Sequence, residues 1–204
     1  GWEGRELMPD FDVYIAKNGA TYRYLINNAN FESYIKVVKT DAETGKTIPY
    51  AGAAFQIYNP DGSLVSMTFT YPTPTTIDTF YSNADGYLVT PEKLPYGDRY
   101  SIVEVQAPYG YTLNAEPVYF NITPDGASEE GGVTVVEVER PNMAQKGVIN
   151  ISKTGEVFST VTEANGVYQP VYEVKGLAGA VYEVTAAEDI YTLDGTLRAP
   201  AGEV

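Results

Sequence analysis

The 204-residue chain has no cysteine and no histidine. The first absence excludes disulfides and thiol catalysis. The second removes the commonest general base and metal ligand. There is no apolar run long enough to span a bilayer, so no membrane insertion is expected. Basic residues are few: 13 Lys and Arg stand against 27 Asp and Glu, for a net charge of −14. That balance argues against nucleic-acid binding through phosphates. Scattered acids such as Asp41, Glu43 and Asp125 match no calcium-loop pattern. No metal and no cofactor is expected, nor is a conventional hydrolase.

What the chain does have is Tyr, Thr and Val in short runs, 18 tyrosines among them. Turn signals separate the runs, a pattern that predicts an all-β sandwich or barrel. Tyr100–Tyr111 reads as a strand that stops at Ala107-Pro108 and turns at Gly110. Its Tyr100, Ile102 and Glu104 share one face; Ser101, Val103 and Val105 share the other. Either face could be the core. If it is the first, a carboxylic acid points into apolar surroundings, which is costly unless it is protonated or paired.

Tyr34–Thr40 reads as a second strand, with Ile35, Val37 and Lys39 on one face. Parity is ambiguous here too, because Val38 lies on the other. A later stretch, residues 146–154, resembles the same strand again. There Ile149, Ile151 and Lys153 share a face opposite Asn150 and Ser152. The copy places its lysine on the apolar side, and that reading carries back to Lys39. Lysine is seldom buried without a partner.

Four motifs now stand in order: Lys39-Thr-Asp-Ala-Glu-Thr-Gly-Lys46, Ala51-Gly-Ala-Ala-Phe55, Leu94-Pro-Tyr-Gly97 and Glu104-Val-Gln-Ala-Pro-Tyr-Gly-Tyr111. Together they resemble the Cna B-type (SpaA-like) repeats of Gram-positive surface adhesins and pilus shafts. The resemblance implies a small prealbumin-like, Ig-like Greek-key β-sandwich. It also implies an intramolecular isopeptide bond between a first-strand lysine and a last-strand asparagine, assisted by a glutamate. Lys39 takes the lysine position, Glu104 the glutamate position and Asn142 the acceptor position. Glu104 would hydrogen-bond the carboxamide of Asn142 and polarise its carbonyl while neutral Lys39 attacks. Pro141 interrupts the last strand, so parity cannot be followed to Asn142. Asn121 is the rival acceptor, although it lies opposite Val118, Phe120 and Ile122.

The resemblance also divides the chain into repeats. Residues 1–28 would be a leader followed by the final hairpin of a preceding repeat, Phe11–Asn28, turning at Asn18-Gly19. Asn28 precedes Lys39 by eleven residues, as Asn142 precedes Lys153, so Asn28 is a candidate acceptor for that earlier repeat. Residues 29–143 would be one complete repeat. Within it, Leu64–Thr70 would pair back on Ala53–Tyr58, Tyr71–Asp78 would be a long surface loop, and Val118–Ile122 would pair with Val133–Glu139. Residues 144–204 would begin a following repeat, with about 13 extra residues at 156–175. Its Lys153 would have no partner and stay unlinked.

The chain begins with glycine and has no signal-peptide pattern, so it is read as a piece of a longer protein. The resemblance implies exposure at a Gram-positive cell surface, with neighbouring repeats as partners. An alternative role is adhesion to a host extracellular protein or glycan through loops such as Tyr71–Asp78.

Overall fold

A computed structural model describes residues 3–6 and 8–204. Gly1, Trp2 and Leu7 of the expected leader lie outside the described residues. Fifteen strands occur among the described residues, with no α-helix. They fall into two compact units. The larger comprises Gly1–Gln145 with Thr192–Thr196, and the smaller comprises Lys146–Tyr191 with Leu197–Val204.

The larger unit contains β1 (Glu32–Asp41), β2 (Ala54–Tyr58), β3 (Met67–Phe69), β4 (Thr75–Ile77), β5 (Phe80–Tyr81) and β6 (Tyr87–Val89). It continues through β7 (Leu94–Pro95), β8 (Gly97–Gln106), β9 (Val118–Ile122), β10 (Ser128–Glu130) and β11 (Val133–Asn142). One sheet has the order β10-β11-β1-β6, with β7 also on β1; the other has the order β5-β2-β8-β9. The core lies between them. Ile35 and Val37 of β1 and Val136 and Val138 of β11 join Phe55, Ile57, Tyr100 and Ile102 of the second sheet in one buried cluster.

The first and last strands, β1 and β11, are neighbours and run parallel, from Tyr34 opposite Val135 to Asp41 opposite Asn142. This differs from the expected pairing of Val118–Ile122 with Val133–Glu139. Instead β9 pairs with β8, and the chain crosses to the other sheet through a short 3₁₀ turn at Pro124–Gly126. Nor does Pro141 end β11. Val136, Val138, Arg140 and Asn142 alternate as buried residues straight through it. Proline is tolerated where a ladder bond is not required, and β10 covers only residues 133–135 of this strand.

The predicted loop Tyr71–Asp78 contains one short strand. Thr75–Ile77 pairs with Met67–Phe69, leaving 70–74 as the connection. Only Leu64 and Val65 return toward Tyr58 and Ile57. Phe11–Asn28 forms no ladder either. The chain reverses at Lys17–Ala20, and the rings of Phe11 and Tyr24 approach to 6.0 Å. However, Val13, Ile15, Leu25 and Ile26 are exposed. A hairpin with no layer to cover its apolar face is marginal in water.

The smaller unit contains β12 (Thr154–Ala164) and β13 (Val167–Gly176), then β14 (Ile190–Tyr191) and β15 (Leu197–Ala199). The predicted insertion at 156–175 is therefore a long ribbon. It turns at Asn165 and Gly166, both with positive φ, as a two-residue hairpin loop requires. Residues 146–153 form no strand, and Ile149, Ile151 and Lys153 are exposed.

Candidate functional site: a buried lysine, glutamate and asparagine

Alternation along β1 turns Lys39 inward beside Ile35 and Val37, and alternation along β8 turns Glu104 inward beside Tyr100 and Ile102. Asn142 enters from the end of β11. Two neighbouring strands of one sheet and a central strand of the other thus aim three polar side chains at one point. Each of the three residues is only 1% exposed.

The contacts are direct. Lys39 Nζ lies 2.8 Å from Glu104 Oε1. It also donates to the Arg140 carbonyl at 2.7 Å and contacts Asn142 Oδ1. The carboxamide nitrogen of Asn142 donates to Glu104 Oε2 at 2.6 Å and to the Thr112 carbonyl at 2.8 Å. The Thr112 carbonyl can only accept, so the nitrogen is the atom that belongs on that side. Glu104 therefore addresses the nitrogen of the carboxamide and not its oxygen, unlike the arrangement expected from the sequence. Asn114 N–H donates to Glu104 Oε2 at 2.9 Å, and the Phe55 ring lies 5.4 Å from Lys39 Nζ.

Burial disfavours the ammonium form of Lys39 and pulls its pKa from 10.5 to about 8; the bond to Glu104 opposes this, and the charge of Arg140 adds to it. The free amine is then reached at a lower pH than in an exposed lysine.

Several supporting residues carried no signal in the alternation pattern. Asp41 is wholly buried. Its Oδ1 accepts the N–H groups of Glu43 and Thr44, closing the turn after β1, and its Oδ2 accepts the Tyr111 hydroxyl at 2.9 Å. The acid at position 41 and the last tyrosine of the Glu104 motif are thus two ends of one bond. Gly86 accepts the Lys39 N–H at 2.9 Å, and Lys39 in turn accepts the Ile48 N–H at 2.9 Å.

Other candidates lie elsewhere. Asn121 is exposed, and its Oδ1 accepts the N–H of Arg99, which has a φ of 65°. Asn28 is exposed and donates to the Glu6 carbonyl at 3.4 Å. Lys153 is exposed, with its carbonyl bound to the Leu177 N–H. Asp41 is committed to its turn and to Tyr111, and Asp125 lies in the 3₁₀ turn. Among the described residues no three acidic side chains are placed to hold a metal, and no helix is long and apolar enough to cross a membrane.

Two β-sheets closed over an amine, a carboxyl and a carboxamide define a small all-β sandwich of prealbumin type. The chain belongs to the family of SpaA prealbumin-like fold domains, whose model matches residues 33–140, just over half of its length. It is also similar to fimbrial subunit type 1 of Actinomyces viscosus, with 27% identity over 140 residues that cover 68% of this chain and 26% of that protein. Similar solved structures include the full-length major pilin SpaD from Corynebacterium diphtheriae, at 21% identity over 56% of this chain and 32% of that one, with a TM-score of 0.42. Another is BcpA, the major pilin subunit of Bacillus cereus, at 21% identity over 57% and 31%, with a TM-score of 0.41. The chain spans about a quarter to a third of the length of these relatives.

Proposed function

We propose that this domain is a structural module of a Gram-positive surface fibre or adhesin, locked by an isopeptide bond between Lys39 and Asn142 that Glu104 assists. The observation that carries this reading is the direct contact of Lys39, Glu104 and Asn142, all buried inside the sandwich. A plain structural core has little use for three polar side chains there, because each is costly to desolvate. Similarity to fimbrial and pilin subunits supports the fibre role.

The chemistry follows the contacts. A proton passes from Lys39 Nζ to Glu104 Oε1, leaving a neutral amine beside a neutral acid. The amine attacks Cγ of Asn142 and forms the Nζ–Cγ bond. In the adduct Glu104 gives its proton to Nδ2, and the carboxylate left behind takes the second proton from Nζ. The Cγ–Nδ2 bond then breaks and ammonia leaves. Glu104 bridges nucleophile and leaving group with its two oxygens, so it can both accept and donate without moving. The fold holds the reactants together, which supplies much of the rate. The reaction occurs once per molecule.

Intact mass under denaturing conditions tests the proposal. The native chain should be lighter than its sequence by one ammonia, and Lys39→Ala, Glu104→Ala and Asn142→Ala should each restore the full mass. A full mass in the native chain would overturn it.

A further inference from the structure

The bonding scheme above leaves the buried side chain of Arg140 unused. Arg140 is the largest fully buried side chain in the larger unit, 1% exposed, and lies on β11 between Val138 and Asn142. Its Nη2 donates to the carbonyls of Asn114 at 2.8 Å and Glu116 at 3.0 Å. Its Nε and Nη1 have no hydrogen-bond partner among the described residues. A guanidinium held this way is an expensive means of filling space, since an apolar side chain of similar length would avoid the desolvation.

What it holds is the segment 112–116, which follows the Glu104 strand and passes over the site. This segment supplies two of the groups that orient the reactants. The Thr112 carbonyl fixes the Asn142 nitrogen, and the Asn114 N–H fixes Glu104 Oε2. Its near end is tied by Thr112 N–H to the Met143 carbonyl and by the bridge between Tyr111 and Ala144. Arg140 ties the far end.

We propose that Arg140 is a positioning residue for cross-link formation: its Nη2, bonded to two carbonyls of the 112–116 segment, clamps that segment over the reacting groups. This rests on the isopeptide reading. The clamp acts through Glu104 and Asn142, whose partners in the segment it holds in place.

Two variants test the clamp. Arg140→Lys keeps the charge, but its shorter side chain ends one bond before the position of Nη2. Arg140→Met removes the charge and the donors together. Linked and unlinked chains are counted by intact mass at intervals after synthesis, at several pH values, and only in the folded fraction as judged by circular dichroism. The native chain should be fully linked at the earliest time. In both variants the linking rate should fall about tenfold or more, as expected for reactants held less closely. The pH profile of Arg140→Lys should stay unshifted, because the reacting groups are unchanged. Folded variants that link as fast as the native chain would overturn the proposal. If Arg140→Met does not fold, Arg140→Lys decides alone: slowed linking upholds the clamp and native speed removes it. An unlinked native chain would instead fail the isopeptide reading itself.

Discussion

Lys39 Nζ and Glu104 Oε1 lie 2.8 Å apart although they belong to opposite sheets, and each residue is 1% exposed. The pair therefore joins the two layers at a point that water does not reach.

Glu104→Gln keeps the shape of the site but removes the group that carries protons between Lys39 and Asn142. The full mass should be retained, with no loss of ammonia. Lys39 and Asn142 are separated by 103 residues in sequence. If a cross-link restricts the unfolded chain as a disulfide does, its absence should lower stability by about 4–5 kcal/mol. Denaturant titration of the variant beside the native chain measures this. Equal midpoints would mean that no bond closes this loop.

The pH dependence of an unlinked form follows from Lys39. In Asn142→Ala the amine stays free, with a folded pKa of about 8 against 10.5 when unfolded. Below pH 8 both states hold the proton, and the burial penalty is present in full. Between 8 and 10.5 the unfolded state binds more protons, so stability should rise with pH. Urea midpoints of Asn142→Ala should climb through this window, while Lys39→Met/Asn142→Ala should show no such climb. Parallel profiles would mean that Lys39 is not desolvated.

Tyr111→Phe removes the hydroxyl that meets buried Asp41 at 2.9 Å. Stability should fall by about 1–3 kcal/mol, as for a buried charged acceptor that loses a partner. Neither residue touches the reacting atoms, so the ammonia deficit should persist. Thermal melting and intact mass on the same sample separate the two effects.

Gly86→Ala tests the backbone support of Lys39. Gly86 has a φ of 85°, and a Cβ there would overlap the Ile48 carbonyl. The substitution should cost about 2–4 kcal/mol through strain and displacement of the turn. A melting temperature equal to that of the native chain would show that the turn can yield.

Asn121→Ala should leave the ammonia deficit unchanged, because Asn121 is exposed and bonded to the Arg99 N–H. A full mass in this variant would move the acceptor there.

The inward faces of β1 and β8 were legible because strand alternation is local: Ile35, Val37 and Lys39, like Tyr100, Ile102 and Glu104, follow a period of two. The tie between equal faces was broken by residues 146–154, yet that stretch is itself irregular and exposed. The pattern was sound, but no layer covers it. The partner of β11 was not legible, since parallel pairing of Tyr34 with Val135 joins residues far apart in sequence. Prolines at 72 and 74 masked β4, which begins just after them at Thr75. Nothing in the sequence pattern singled out Arg140, and the Thr112 carbonyl carries no side-chain signal at all. The site was therefore visible as three residues, while the segment that holds them was not.

The parallel placement of β1 and β11 also decides where the chain enters and leaves this domain. In an antiparallel pair the two would lie together at one end of the sheet. Here Glu32 opens β1 at one end, and Asn142 closes β11 opposite Asp41 at the other. At about 3.3 Å per residue the two points are about 30 Å apart. The length of the sheet therefore separates the point where the chain enters it from the point where the chain leaves.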